Sequence, residues 1–312
     1  MIGRRSLTGM ALHMTSWRLV LAVALMLMVS SGYVVGAHAT NSASLPRVKT
    51  VTSEVLAWRH AAASTVTIGH SATGRALVAL RQGSPDAPNV VVLLGQTHGN
   101  EPRGIDVVRE ARRLVFPDGV QVWTISTMNP DGSMARTRVN ARHVDLNRNF
   151  PYLWHANPNT ATYFPGVRAA SEPETKALMA FLNQLRPDLV VSLHQAFRAI
   201  DVGPSKARRW VELLSSATGL PVKNVPCNGV CRGTMTGWYN ASFEGAAITA
   251  ELPRRVSATQ AQIYARAVRT VAAALVAANP APAPSGSPMQ TGTPTPSVTP
   301  VPPMTGSPSP AP

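Results

Sequence analysis

Hydrophobic residues are concentrated in short, predominantly apolar runs separated by longer segments with helical periodicity. The runs cover 90–95, 120–126, 189–194 and 246–251. Runs of this length and purity are typical of strands buried on both faces of a sheet. Between them, apolar residues at three- and four-residue intervals predict helices over 103–115, 171–185, 207–218 and 257–278. The alternation predicts a single-domain α/β/α sandwich around a mixed, mainly parallel central sheet.

Two of the predicted helix ends carry recognisable boundary signals. Ser171 and Glu174 have the spacing of a capping box, which places a helix start at Ser171. Gly219 follows the third helix, and Pro221 comes two residues later, a combination typical of a helix C-terminus.

The first 39 residues have the pattern of a signal peptide. Basic residues (Arg4, Arg5 and Arg18) precede a nearly continuous apolar stretch over 19–35, and a small-x-small site ends at Ala39. We therefore expect cleavage after Ala39 and a secreted or cell-envelope location. The alternative is an uncleaved segment that anchors the chain in a membrane, for which the apolar stretch is marginally short.

Composition divides the remaining chain into three parts. Residues 40–50 form a polar linker, and 51–279 the catalytic domain. Residues 280–312 contain no charged residue and are dominated by Pro, Ser, Thr, Ala and Gly, which predicts a disordered tail.

The chain carries a formal net charge of +14. Such a charge favours polyanions, and for an exported protein anionic cell-wall polymers are the natural partners. The Lys and Arg residues are dispersed rather than gathered in a dense block, which argues against a nucleic-acid-binding module.

Two cysteines, Cys227 and Cys231, lie four residues apart. In an oxidising compartment a close pair favours a disulfide that closes a small loop. The alternative is two free buried thiols.

Polar residues of catalytic type follow several of the predicted strands. His98 and Glu101 come directly after the first run, His194 ends the third, and Glu251 ends the fourth. Ligands of open α/β sheets bind outside the carboxyl ends of the strands, so these side chains are expected at one edge. Taken singly, His98-x-x-Glu101 could be a surface turn and His194 a structural histidine. Their shared position instead indicates a single zinc ion with three protein ligands and one open position for water.

The segment 136–151 is dense in guanidinium and amide groups and ends in Asn147-Arg148-Asn149-Phe150-Pro151. Such groups bind carboxylates and oxyanions through paired hydrogen bonds. The segment therefore indicates a substrate with a free carboxylate.

These motifs, in this order, resemble the signature of the zinc carboxypeptidase family. The resemblance covers nearly all of residues 65–255. Within the family, the motifs are most similar to those of the bacterial murein peptide amidase A branch. The residues that carry it are His98-x-x-Glu101, Asn129-Pro130-Asp131-Gly132, Thr137-Arg138-Val139-Asn140-Ala141, Asp145-Leu146-Asn147-Arg148-Asn149, Tyr163-Phe164-Pro165-Gly166, His194 and Glu251.

The resemblance implies a role for each matching residue. His98, Glu101 and His194 would bind zinc, and Glu251 would be the general base. Arg138 would polarise the scissile carbonyl, while Asn147 and Arg148 would bind the substrate carboxylate. Asp145 would accept a hydrogen bond from a ligand imidazole, His98 being the expected partner.

The segment 227–238 departs from the digestive carboxypeptidases because it has no obvious counterpart of their substrate-contacting tyrosine. We expect it either to line the specificity pocket or to form a structural lid held by the disulfide. It also lacks an acidic residue that could pair with a basic side chain, which argues against lysine- or arginine-specific exopeptidase action.

The leading hypothesis is a secreted metallo-amidase that cleaves peptidoglycan peptides at a γ-D-glutamyl–diaminopimelate bond. The alternatives are a secreted carboxypeptidase acting on ordinary peptides, a deacylase of small N-acylated amino acids, and a wall-binding protein without turnover.

Overall fold

The computed structural model describes residues 64–156, 163–226 and 231–280. Its strands are β1 Thr65–His70, β2 Ala76–Gln82, β3 Asn89–Leu94, β4 Val120–Ile125, β5 Leu189–Gln195, β6 Ala199–Asp201, β7 Val222–Lys223 and β8 Ala246–Leu252. Its α-helices are α1 Arg103–Ala111, α2 Pro130–Ala135, α3 Pro173–Leu185, α4 Arg208–Thr218, α5 Met235–Ser242 and α6 Ala258–Ala278.

The strands form one mixed sheet in the order β1-β2-β4-β3-β5-β8-β6-β7. The centre is parallel, since β3 pairs in parallel with both β4 and β5, and β5 with β8. Antiparallel pairs join β1 to β2, β2 to β4, and β6 to β8. The carboxyl ends of β3, β5 and β8 therefore meet at one edge of the sheet.

Helices cover both faces of the sheet. On one face α1, α4 and α6 pack on alternate residues of the central strands, such as Val91 and Leu93. On the other face α3 and α5 pack on the intervening residues, such as Val90 and Val92. Strands covered on both sides favour apolar residues on both faces, which explains the predominantly apolar runs. The predicted α/β/α sandwich is confirmed.

Two predicted helix boundaries were wrong. Helix α1 ends at Ala111 because the Gln82 side chain donates to the carbonyls of Arg112 and Leu114, where the chain turns away. Helix α3 begins at Pro173 without a capping box. The Glu174 carboxylate instead accepts from the Ala72 N–H, in another part of the fold.

The predicted signal peptide and the linker over 40–50 lie outside the described residues, as does the predicted tail apart from Pro280. These assignments remain predictions. Among the helices of the described ranges, none combines the length and apolar character needed to cross a membrane.

Candidate metal centre and active-site cleft

One loop and one strand end at the carboxyl edge of the sheet bring the predicted metal ligands together. The loop after β3 carries His98 and Glu101, and the end of β5 carries His194. One ligand atom from each of these three residues lies within 4.8 Å of the other two, and all three side chains are buried. Residues 96 positions apart in the chain therefore share one site.

The ligand atoms converge on a common point. His98 Nδ1 lies 2.8 Å from Glu101 Oε1 and 3.2 Å from His194 Nδ1. His194 Nδ1 lies 3.1 Å from the second oxygen, Glu101 Oε2. Both imidazoles thus point the same ring nitrogen toward the carboxylate.

The opposite ring nitrogens face polar neighbours. His98 Nε2 lies 3.1 Å from Asp145 Oδ1, and His194 Nε2 lies 3.3 Å from Ser192 Oγ. A proton on each Nε2 leaves the Nδ1 lone pair free for a cation. Such partners fix ring orientation and tautomer at metal sites.

The charges around the ligands favour a cation. Burial by itself lowers the pKa of His98, but the carboxylates of Asp145 and Glu101 outweigh burial and raise it. Burial raises the pKa of Glu101, yet His98 and His194 bring it well below its usual range. Two imidazole nitrogens and one carboxylate are a common zinc donor set, so these residues fit a zinc ion.

The tight turn that carries two of the ligands depends on Gly99. A Cβ atom at Gly99 would lie 1.9 Å from the carbonyl carbon of Gly132 in helix α2. Only glycine allows this approach of two backbones, which holds the His98–Glu101 turn against the neighbouring loop.

Glu251 lies next to the ligands on the adjoining strand. In the β5–β8 register it pairs directly with His194. Its Oε2 accepts the Phe197 N–H at 3.5 Å, and the side chain faces the same cleft. Burial is the largest cause that raises the pKa of Glu251, and Glu101 adds to it. A carboxyl group with a raised pKa is suited to accept and return a proton near neutral pH.

Asp145 connects three parts of the site. Its Oδ1 accepts from His98 and from the Asn147 N–H, while its Oδ2 accepts from Nε and Nη2 of Arg138 at 2.9 Å. The remaining guanidinium nitrogen, Arg138 Nη1, lies 3.3 Å from His98 Nδ1. Arg138 therefore points at the point where the ligands converge.

A 3₁₀ turn over Leu146–Arg148 presents the predicted carboxylate-binding residues. Asn147 Oδ1 accepts the Met235 N–H, which leaves the amide Nδ2 facing the cleft. The Tyr163 ring lies between the guanidinium groups, 5.0 Å from Arg138 Cζ and 5.4 Å from Arg148 Cζ. Burial lowers the pKa of Arg148.

A cleft of about 830 Å³ opens above these residues. The sequence allowed two interpretations of the segment 227–238, a pocket wall or a structural lid. This segment contributes Cys231, Arg232, Thr234, Thr236 and Gly237 to the wall of the cleft. Its Met235 and Trp238 are buried in the core instead. Cys227 lies outside the described residues, so the Cys227–Cys231 disulfide remains a prediction.

Sequence reasoning missed Ser192, Tyr163 and Asp201 as members of the site. Ser192 had a signal, because it stands two positions before His194 in an otherwise apolar strand and so faces the same side. Asp201 had none, because the short strand β6 was not predicted. It brings an acidic group into the cleft wall from outside the segment 227–238.

Comparison with known proteins agrees with this geometry. Residues 53–208 match the peptidase M14 family, described as zinc carboxypeptidase. These residues include the three candidate ligands, Arg138, Asp145 and the 3₁₀ turn, while Glu251 lies beyond them.

Individual relatives extend the match. Murein peptide amidase A of Escherichia coli K12 is 31% identical over 198 residues, which span 59% of this chain and 79% of that protein. The same-named protein of Vibrio campbellii is 30% identical over 175 residues, 52% of this chain and 68% of that protein.

Solved structures share the architecture. The murein-tripeptide amidase of Escherichia coli O157 superposes with a TM-score of 0.53 at 28% identity, covering 68% of this chain and 91% of that one. Carboxypeptidase A of Helicoverpa armigera superposes with a TM-score of 0.58 at 22% identity, covering 69% of each chain, which shows the fold alone. With two imidazoles and a carboxylate converging at the strand ends, this chain belongs to the zinc carboxypeptidase family and is a metallopeptidase hydrolase.

Proposed function

We propose that the protein is an exported zinc-dependent amidase that hydrolyses the γ-D-glutamyl–diaminopimelate bond of peptidoglycan peptides. The observation that carries the proposal is the presence of carboxylate-binding groups and metal ligands in one cleft. Asn147 and Arg148 line the same cavity as His98, Glu101, His194 and Glu251. The murein peptide amidase relatives support the peptidoglycan substrate, and the signal-peptide pattern supports export.

His98, Glu101 and His194 would hold the zinc ion. When bound, zinc would supply Lewis-acid chemistry, which polarises a carbonyl oxygen and lowers the pKa of a water molecule so that it can lose a proton and act as a nucleophile near neutral pH. The donor atoms of these three side chains already face one another at 2.8 to 3.2 Å.

The protein's own groups position the substrate and move the proton. Arg148 and the Asn147 amide bind the free carboxylate beside the scissile bond and fix its register. The Arg138 guanidinium, held by Asp145, stabilises the negative charge that develops on the carbonyl oxygen. Glu251 takes a proton from the attacking water at its carboxylate and returns it to the departing amine.

The direct test is digestion of a synthetic tripeptide, L-alanyl-γ-D-glutamyl-diaminopimelate, by the zinc-loaded full chain. We expect free diaminopimelate and the dipeptide L-alanyl-D-glutamate as the products detected by mass spectrometry. A tripeptide whose carboxylate next to the scissile bond is amidated is the matched substrate. It should react about 10- to 100-fold more slowly, because the charge-assisted bonds to Arg148 are lost.

An intact tripeptide alongside trimmed ordinary linear peptides would identify a carboxypeptidase of ordinary peptides and refute the peptidoglycan proposal. Equal rates for the amidated and free tripeptides would refute the assignment of Asn147 and Arg148.

A further inference from the structure

We propose that Asp201 selects substrates whose residue on the amine side of the scissile bond carries a cationic amino group. The inference rests on the proposed function and names the side-chain chemistry that the cleft recognises. Lysine and diaminopimelate both have such an ammonium group at the end of their side chains.

Among the described charged residues that line the cleft, Asp201 is the one carboxylate without a role in the proposed mechanism. The lining residues include the cations Arg138, Arg148 and Arg232. Their acidic counterparts are Glu101, which faces the metal ligands, Glu251, which faces the reacting groups, and Asp201. Within the described lining, Asp201 is thus the carboxylate that neither the metal centre nor proton transfer employs.

Strand geometry directs the Asp201 side chain into the cleft. Its neighbour Ile200 is buried in the core on the α4 and α6 face of the sheet. Side chains alternate along a strand, so Asp201 faces the opposite side. That side carries Glu251, Thr249 and Ala247 of β8, which all line the cleft.

The distance from the reacting groups suits a side chain of this length. Ala199 pairs with Glu251 in the antiparallel β6–β8 register. Asp201 lies two residues further along, so its Cα is roughly 8 Å from the Cα of Glu251 by standard strand spacings. An extended lysine side chain is of comparable length, so the ammonium of a residue whose amide is held beside Glu251 can reach Asp201.

The space between these two points is lined by small and polar residues. Thr249 and Ala247 of β8 and Thr236, Gly237 and Asn240 of α5 contribute to this lining. The Thr249 hydroxyl donates to that of Thr236 at 3.3 Å, which joins β8 and α5 in one continuous polar surface. A linear side chain with a charged end would run along this surface toward Asp201.

The Asp201 carboxylate is available to bind a substrate cation. Its Oδ1 accepts the Val225 N–H at 3.1 Å, which orients the carboxylate. Lys223 is its register partner on β7. The ion pairs between described residues nevertheless include none to Asp201. A substrate ammonium would therefore meet an unpaired carboxylate.

The test compares three γ-D-glutamyl dipeptides that end in lysine, diaminopimelate or norleucine, with the zinc-loaded full chain. Norleucine has the lysine skeleton without the ammonium. We expect kcat/KM for the two cationic substrates to exceed that for norleucine about 10- to 100-fold, the value of one charge-assisted hydrogen bond. Comparison of lysine with diaminopimelate separates the effect of the ammonium from that of the second carboxylate.

Asp201→Asn removes the charge and keeps an oxygen that can accept the Val225 N–H. We expect Asp201→Asn to bring the ratio of kcat/KM between the cationic substrates and norleucine close to 1. Only the values for the cationic substrates should fall. Activity on norleucine then serves as the measure of correct folding. Asp118→Asn, which changes an exposed aspartate far from the cleft, is the matched control and should keep the preference.

An undiminished preference in Asp201→Asn, or an equal loss on all three substrates, would overturn the inference. A parent enzyme that cleaves all three equally would overturn the inference and leave the amidase function standing. A parent enzyme that cleaves none of them would overturn both.

Discussion

Asp145 shows how one buried carboxylate can set the geometry of a whole site. Its two oxygens accept from the imidazole of His98, from the guanidinium of Arg138 and from the backbone of the 3₁₀ turn that carries Arg148. The side chain is fully buried, and His98 and Arg138 keep its pKa below the usual range although burial opposes them. A single residue thus orients a candidate metal ligand, a proposed oxyanion-binding group and the turn proposed to bind the substrate carboxylate.

Glu251 is expected to matter for turnover but not for metal binding. Replacing it with Gln keeps its size and removes its ability to take a proton from water. We expect Glu251→Gln to lower kcat about 10²- to 10⁴-fold, the usual contribution of a general base. Zinc content by atomic absorption should stay at that of the parent.

His194→Ala provides the comparison, since it should lose both zinc and activity. Unchanged hydrolysis by Glu251→Gln would show that another group acts as the base.

At the scale of elements, carboxylates also connect the edge of the sheet to the loops around the site. Asp131 in the first turn of α2 accepts from the Ser71 hydroxyl in the turn between β1 and β2. Glu174 in the first turn of α3 accepts from the Ala72 N–H of the same turn. These contacts hold the first turns of α2 and α3 against the turn between β1 and β2, and α2 is followed by the loop that leads to Arg138.

Glu174 provides a test of this arrangement through pH. Burial is the main cause that raises its pKa, and the nearby Glu172 raises it further. An acid with a raised pKa binds its proton more tightly in the folded state, so stability falls as pH rises through that pKa. Glu174→Gln should therefore increase the free energy of unfolding at pH 7, on the order of 1 kcal/mol. The gain should disappear as the pH is lowered to about 4, where the parent carboxyl is protonated.

Denaturant unfolding at both pH values measures the effect. Glu212→Gln on the exposed face of α4 is the control and should change little. A variant less stable than the parent at pH 7 would show that the hydrogen bonds which the carboxylate accepts from Ala72 and Asn140 outweigh the cost of burying its charge.

For the whole molecule, the site lies where two separately packed cores share a sheet. The core under α1, α4 and α6 fixes β3, β5 and β8 from one side, and the core under α3 and α5 fixes them from the other. The ligands extend from the ends of these strands, so their separation is set by sheet register. Metal binding should consequently be linked to global stability.

Thermal unfolding with zinc and with a chelator tests this linkage. A ligand at about 1,000 times its Kd stabilises the folded state by about 4 kcal/mol, which corresponds to a rise in Tm of roughly 10 °C for a domain of this size. We expect such a rise for the parent and almost none for His194→Ala. An equal rise in both proteins would place the bound zinc elsewhere.

The sequence by itself determined the layered fold and indicated the three candidate metal ligands. A strand that is buried on both faces appears in the sequence as a predominantly apolar run. His98, Glu101 and His194 lie at or just after the ends of such runs. Both signals are local, since they depend on residues close together in the chain. The family resemblance carried the remaining roles, because Asn147, Arg148 and Asp145 belong to one continuous motif.

Only the tertiary structure decided the contacts that depend on register and packing. Asp201 reaches the cleft because the short strand β6 pairs with β8. Ser171 and Glu174 have the spacing of a capping box, but their side chains form hydrogen bonds with groups distant in the chain instead. Local sequence patterns indicate which interactions a residue can form, whereas long-range packing determines which of them it forms.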